Sequence, residues 1–214
     1  MSTGWQWLAA GLTIAAIGLY ELWLAVGRSA GDEGLARAAH AALREQWFEA
    51  VSAQKGSEIL AVQTLRNSLM SASMTASAAV LGLMGTISLA APSLEAGLAR
   101  AAVPQFTPRL ALELVLLGLL FASLVASVLA VRFYNHASFI GGMPVESRAR
   151  ERWSPAGKRY VARAGLLYSW SLRNLILVVP VVAFILHPLA GPVSAILTVF
   201  VLHAFDRAHV EGRA

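Results

Sequence analysis

Apolar residues in this chain come in runs too long for the core of a soluble domain, and short polar stretches divide them. The most telling run follows Arg66 and Asn67. From Ser68 to Ala91 there are 24 residues without a charge, where a helix crossing the ~30 Å hydrocarbon core of a bilayer needs about 20. The same pattern predicts spans near residues 5–26, 64–91, 110–133, 166–187 and 190–206. The last two form a hairpin around "PLAGP" that is short for two crossings, with Pro180 placed to kink its first arm. The expected fold is all-α, a polytopic transmembrane helical bundle in one domain over 1–214, with helical extensions into the cytoplasm.

Between these runs the periodicity changes. Over 35–55, Ala36, Ala39, Leu43, Trp47 and Ala50 recur at helical spacing opposite Arg37, Arg44 and Glu45, which predicts an amphipathic cytoplasmic helix. Gly56 breaks that pattern. Ser57 then reads as the cap of a helix opening at Glu58 and running to Ala91. Pro92, Pro104 and Pro108 mark a loop, and Ser154 followed by Pro155 predicts another helix start.

Composition sharpens this picture. The 214 residues are 57% hydrophobic and 14% charged, with mean hydropathy +0.62, whereas soluble domains carry about 25% charged residues. The net charge of +5 is a topology signal before it is a nucleic-acid signal. In a five-span arrangement 15 of the 17 Lys and Arg residues fall on one side, which puts the N-terminus outside and the C-terminus inside by the positive-inside rule. Nucleic acid is therefore not an expected partner. Membrane lipids are, together with other copies of the chain or a larger membrane complex. With no cysteine, disulfides and thiolate metal sites are excluded.

Candidate chemistry is sparse. Asn67, Ser71, Thr75, Ala78, Gly82 and Gly85 share one helical face and read either as a close packing surface or as the lining of a polar path. Arg66, Arg132 and Arg173 stand at the cytoplasmic ends of spans, where they suit anions or lipid phosphates. Glu21, near the same depth, is the candidate ion-pair partner of Arg66 or Arg173. Asn135 and Asn174 are candidates for polar contacts between helices. His203, Asp206 and His209 read as a frayed, solvated C-terminus rather than a metal site. No nucleophile with its base, no phosphate loop and no metal set is visible, so neither catalysis nor a cofactor is expected. "TLRNSLM" and "SLRNLIL" open two apolar hairpins, and suggest diverged parallel repeats.

At "ILAVQTLRNSLMSASMTAS", "RFYNHASF" and "YSWSLRNLILVVPV" the chain resembles the bacterial membrane family called Domain of Unknown Function 599. Those motifs run from about Arg44 to Arg207 and leave the first span outside. The resemblance implies a multi-pass protein of the bacterial inner membrane and no catalytic residue. The functional expectation is an oligomeric channel or permease for small ions, anions among them. The alternative is a non-conducting scaffold or accessory subunit.

Overall fold

The structure is a computed structural model that describes residues 3–29, 36–99 and 106–207. They form six helices: α1 (Thr3–Ser29), α2 (Ala36–Ala53), α3 (Glu58–Ala99), α4 (Pro108–Gly141), α5 (Arg148–Leu186) and α6 (Ala190–Arg207). The described residues contain no strand. Four helices are long and apolar enough to cross a membrane: α1, α3, α4 and α5. The fourth of the expected runs is only the second half of a 39-residue helix, and α6, with 18 residues, reaches about 27 Å at 1.5 Å per residue.

Helix ends depart from the sequence reading in instructive ways. The helix expected at Ser154 begins at Arg148, because Ser147 is the real cap: its Oγ accepts from the Arg150 N–H at 3.1 Å. Pro155 is then simply absorbed into α5. Pro92 likewise bounds no loop, since α3 continues through it to Ala99. Ser57 does not cap α3 with its hydroxyl. It donates to the carbonyls of Val51 at 2.5 Å and Gln54 at 2.7 Å, closing the C-terminal end of α2. Gly56, at φ +86°, makes the left-handed turn that permits this. Thr107 caps α4 as the sequence chemistry demands, with Pro108 in the first turn.

The predicted face of α2 is also rotated. Leu43 and Ala50 are exposed, whereas Phe48 and Val51 are buried and Trp47 is half-buried. One large aromatic in the sealed position outweighs a stripe of alanines, because buried area scales with side-chain size.

Chain contacts divide the protein into two compact units. Unit 1 comprises Met1–Asp32, Ala79–Ala122 and Arg173–Arg207. Its core joins Ile17, Tyr20 and Leu24 of α1 to Leu112, Leu116 and Leu120 of α4 and to Leu177, Val181 and Phe184 of α5. Along α6, α1 packs closely, with the Trp23 and His203 rings 4.7 Å apart. Gly191 allows that approach, since a Cβ there would lie 2.7 Å from Thr13 Oγ1 and 2.8 Å from Phe184 Cβ. Outward, this unit shows Leu12, Leu19, Leu81, Met84, Val193 and Phe200, among other exposed apolar side chains. A soluble surface would not tolerate such a belt; a lipid-facing one requires it.

Unit 2 comprises Glu33–Ala78, Ser123–Leu172 and Ala208–Ala214. Its core is Phe48, Leu65, Ala130, Tyr134, Ala137, Ile140, Val161 and Ala164. Here lie Arg44, Arg66, Arg132, Arg150 and Arg163, with Glu45, Glu49, Glu58 and Glu146 among the acids.

Candidate functional site

The proposed face on α3 is not buried as a unit within this chain. Asn67, Ser71, Ala78 and Gly85 are exposed, Thr75 is buried, and Gly82 is half-buried. A Cβ on Gly82 would come within 2.8 Å of Leu120 Cδ2. The stripe that α3 does bury is Ala61, Leu65, Ala72, Thr75, Ala79, Thr86 and Ala90. Seven α3 hydroxyls, those of Ser68, Ser71, Ser73, Thr75, Ser77, Thr86 and Ser88, donate to the carbonyl four residues earlier in the same helix. Their polarity is thereby satisfied before any neighbour arrives.

The three arginines occupy unlike settings. Arg66 and Arg132 are exposed in unit 2. Arg173 is buried in unit 1 with its guanidinium 5.6 Å from the centre of the Tyr20 ring. That contact brings Arg173 to the residue preceding Glu21, which is half-buried. Asn174 is buried and Asn135 exposed. His203 sits against Trp23 rather than in a frayed end; the side chains of Asp206 and His209 lie outside the described residues. Among the described residues, no three His, Asp or Glu side chains gather as metal ligands would.

Three polar clusters went unnoticed in the sequence. Ser123 and Ser127 of α4 meet Ser171 of α5, all fully buried, with Oγ to Oγ distances of 2.8 Å and 2.5 Å. The Ser123 and Ser171 hydroxyls also reach each other's backbone carbonyls, at 3.0 Å and 2.9 Å. This is a hydroxyl clasp between two helices. Its only trace in the sequence is the spacing of Ser123 and Ser127, which puts both on one helical face.

Arg150 forms the second cluster. Its side chain is fully buried, and its guanidinium donates to the Ile140 carbonyl, to the Met143 carbonyl at 3.4 Å and to Ser52 Oγ at 3.0 Å. It also stands 5.4 Å from the Phe48 ring centre. A cation at the C-terminal end of α4 neutralises the carbonyls that end cannot pair. Around it opens a cleft of about 690 Å³ lined also by Glu45, Glu49, Lys158 and Arg159. Lys158 pairs with Glu49 at 2.7 Å and Lys55 with Glu146 at 3.0 Å, so the charges there largely answer one another. Glu58 accepts from the Val145 N–H at 3.1 Å and ties the start of α3 to the turn between α4 and α5.

In unit 1, the third cluster is the buried carboxylate of Glu113, which accepts from Arg109 Nε at 2.9 Å, one helical turn away. An ionisable group in such a place is tolerated because its partner reaches out to solvent with a side chain that is 60% exposed.

Long apolar helices and exposed apolar side chains are what a helical membrane protein requires. The chain belongs to the family described as "Protein of unknown function, DUF599", which it matches over residues 8–210. That match takes in α1, which the short motifs had left out. No curated protein and no solved structure matches the chain.

Proposed function

We propose that this is a multi-pass protein of the bacterial inner membrane that works as an assembly module, with α3 presenting its outward face to a second copy or to another membrane subunit. The observation that carries this reading is an exposed α3 face of small residues whose one hydroxyl, that of Ser71, is already bonded to the Asn67 carbonyl. A neighbouring helix can approach such a face closely. Ser71, Ala78 and Gly85 lie seven residues apart along it, all exposed. The chain contains no cysteine, so single cysteines at 71, 78 and 85 can be oxidised in intact membranes without background. Disulfide-linked dimers at these three positions and none at Val80 or Ile87, exposed on the opposite flank of α3, support the reading, because the bridge demands Cα atoms within about 7 Å. Uniform linking at every position, or none, overturns self-association. A reporter after Ala214 is expected in the cytoplasm and one near Ala96 on the opposite side.

A second reading, an oligomeric channel or permease for small ions including anions, uses the same face. Asn67 favours it, as an exposed amide with no packing role within the chain. It requires a continuous polar path beside Ser71 and Thr75 in the assembly. Chloride flux in liposomes carrying the purified oligomer, with altered selectivity in Arg66→Gln, supports conduction; the absence of flux leaves assembly as the function.

A further inference from the structure

A recess of about 340 Å³ in unit 2 has a chemistry that no ion pair explains. Its polar wall is Arg44 of α2, Thr64 and Ser68 of α3 and Tyr134 of α4, and its apolar wall includes Trp47, Leu65 and Val161. Arg44 is half-buried and spends one hydrogen bond on the His40 carbonyl at 3.4 Å. No ion pair with a described carboxylate engages it.

The guanidinium has a built seat. A Cβ on Gly165 of α5 would fall 2.5 Å from Arg44 Cζ and Nε. Glycine weakens a helix interior relative to alanine, yet here its missing side chain is what lets a charged plane lie against α5. The recess also sits at an informative level of the sequence. Arg66 precedes the uncharged run of α3 and Arg132 follows that of α4, and both are exposed. Leu65 and Tyr134 lie within two residues of these changes from charge to hydrocarbon. In a bilayer this is the depth of the phosphates, where Trp and Tyr side chains also concentrate.

We propose that the recess binds an anionic membrane lipid, its phosphate on Arg44 with the Tyr134 hydroxyl beside it, and the upper part of its acyl chains against Trp47, Leu65 and Val161. Arginine suits this task because its planar fork offers two parallel donors to phosphate oxygens. The site does not depend on what α3 meets.

The test uses the full chain in neutral detergent, titrated calorimetrically with short-chain phosphatidylglycerol, short-chain phosphatidylcholine and inorganic phosphate. Phosphatidylglycerol is expected to bind, and Arg44→Gln to weaken it about tenfold, as loss of a charge-assisted hydrogen bond does. Gly165→Ala is the sharper variant. It displaces only the far end of a flexible side chain, so binding should weaken by a similar factor while the melting temperature holds or rises. Equal affinity for phosphatidylcholine overturns charge recognition. Inorganic phosphate binding as tightly as the lipid overturns the lipid assignment, and unchanged binding in Gly165→Ala at native stability overturns the seat.

Discussion

The chain contains nearly the same four residues twice, Thr64-Leu65-Arg66-Asn67 in α3 and Ser171-Leu172-Arg173-Asn174 in α5, and treats them in opposite ways. In α3 the leucine is buried while the threonine, arginine and asparagine are exposed; in α5 only the leucine is exposed. The two helices present these residues at different rotational phases. Leu65 is needed under the end of α4, where a Cβ on Gly141 would stand 3.3 Å from it. Ser171 is needed by the serines of α4, and Arg173 by the Tyr20 ring. Local sequence therefore supplies the side chains, and the neighbours available to each helix choose which of them turn inward. Of the residues in the membrane-span windows, 39% are buried in α5 and 22% in α3, so α5 has more neighbours to satisfy.

This inversion can be broken by paired substitutions, read as thermal or denaturant unfolding in detergent. Leu65→Ala should cost about 2–5 kcal/mol as a core truncation, while Leu172→Ala should stay within about 0.5 kcal/mol. Next comes Arg173→Gln, expected to lose about 2 kcal/mol with the desolvated cation over Tyr20; Arg66→Gln should be near neutral in stability. Ser171→Ala should cost about 1 kcal/mol by opening the clasp, with Thr64→Ala unchanged. Gly82→Leu, outside the repeat, should cost about 1–3 kcal/mol by overpacking against Leu120. Equal losses at both copies of any pair would mean that the two motifs share one environment after all.

The same contrast explains what could be read from the sequence. Helical class and the apolar runs follow from composition and length, since uncharged stretches such as Ser68–Ala91 have few physical alternatives. Phase did not follow. On α3 the alanines, glycines and hydroxyls are similar in size and spaced around the whole helix, so no hydrophobic stripe marks the inner side. The start of α5 was missed because Ser147 and Ser154 are equally good caps, and only the partners of Arg150 select between them. In the sequence Arg150 is one charge among its neighbours Arg148, Glu151 and Arg152. Its burial depends on Ser52 and Phe48, nearly a hundred residues away in sequence, which no local pattern announces.

The hydroxyl clasp bears on the order in which the chain can be made. Released singly into lipid, α4 would expose Ser123 and Ser127, and α5 would bring Ser171 beside Arg173 and Asn174; each polar group would have to find a partner on its own helix or draw in water. Only residues 142–147 separate the two helices, and Ser147 and Arg150 already fasten that turn. A nascent chain can therefore hold α4 at the translocation machinery for the few seconds needed to synthesise α5 at about 5–20 residues per second, and discharge the two as a closed pair.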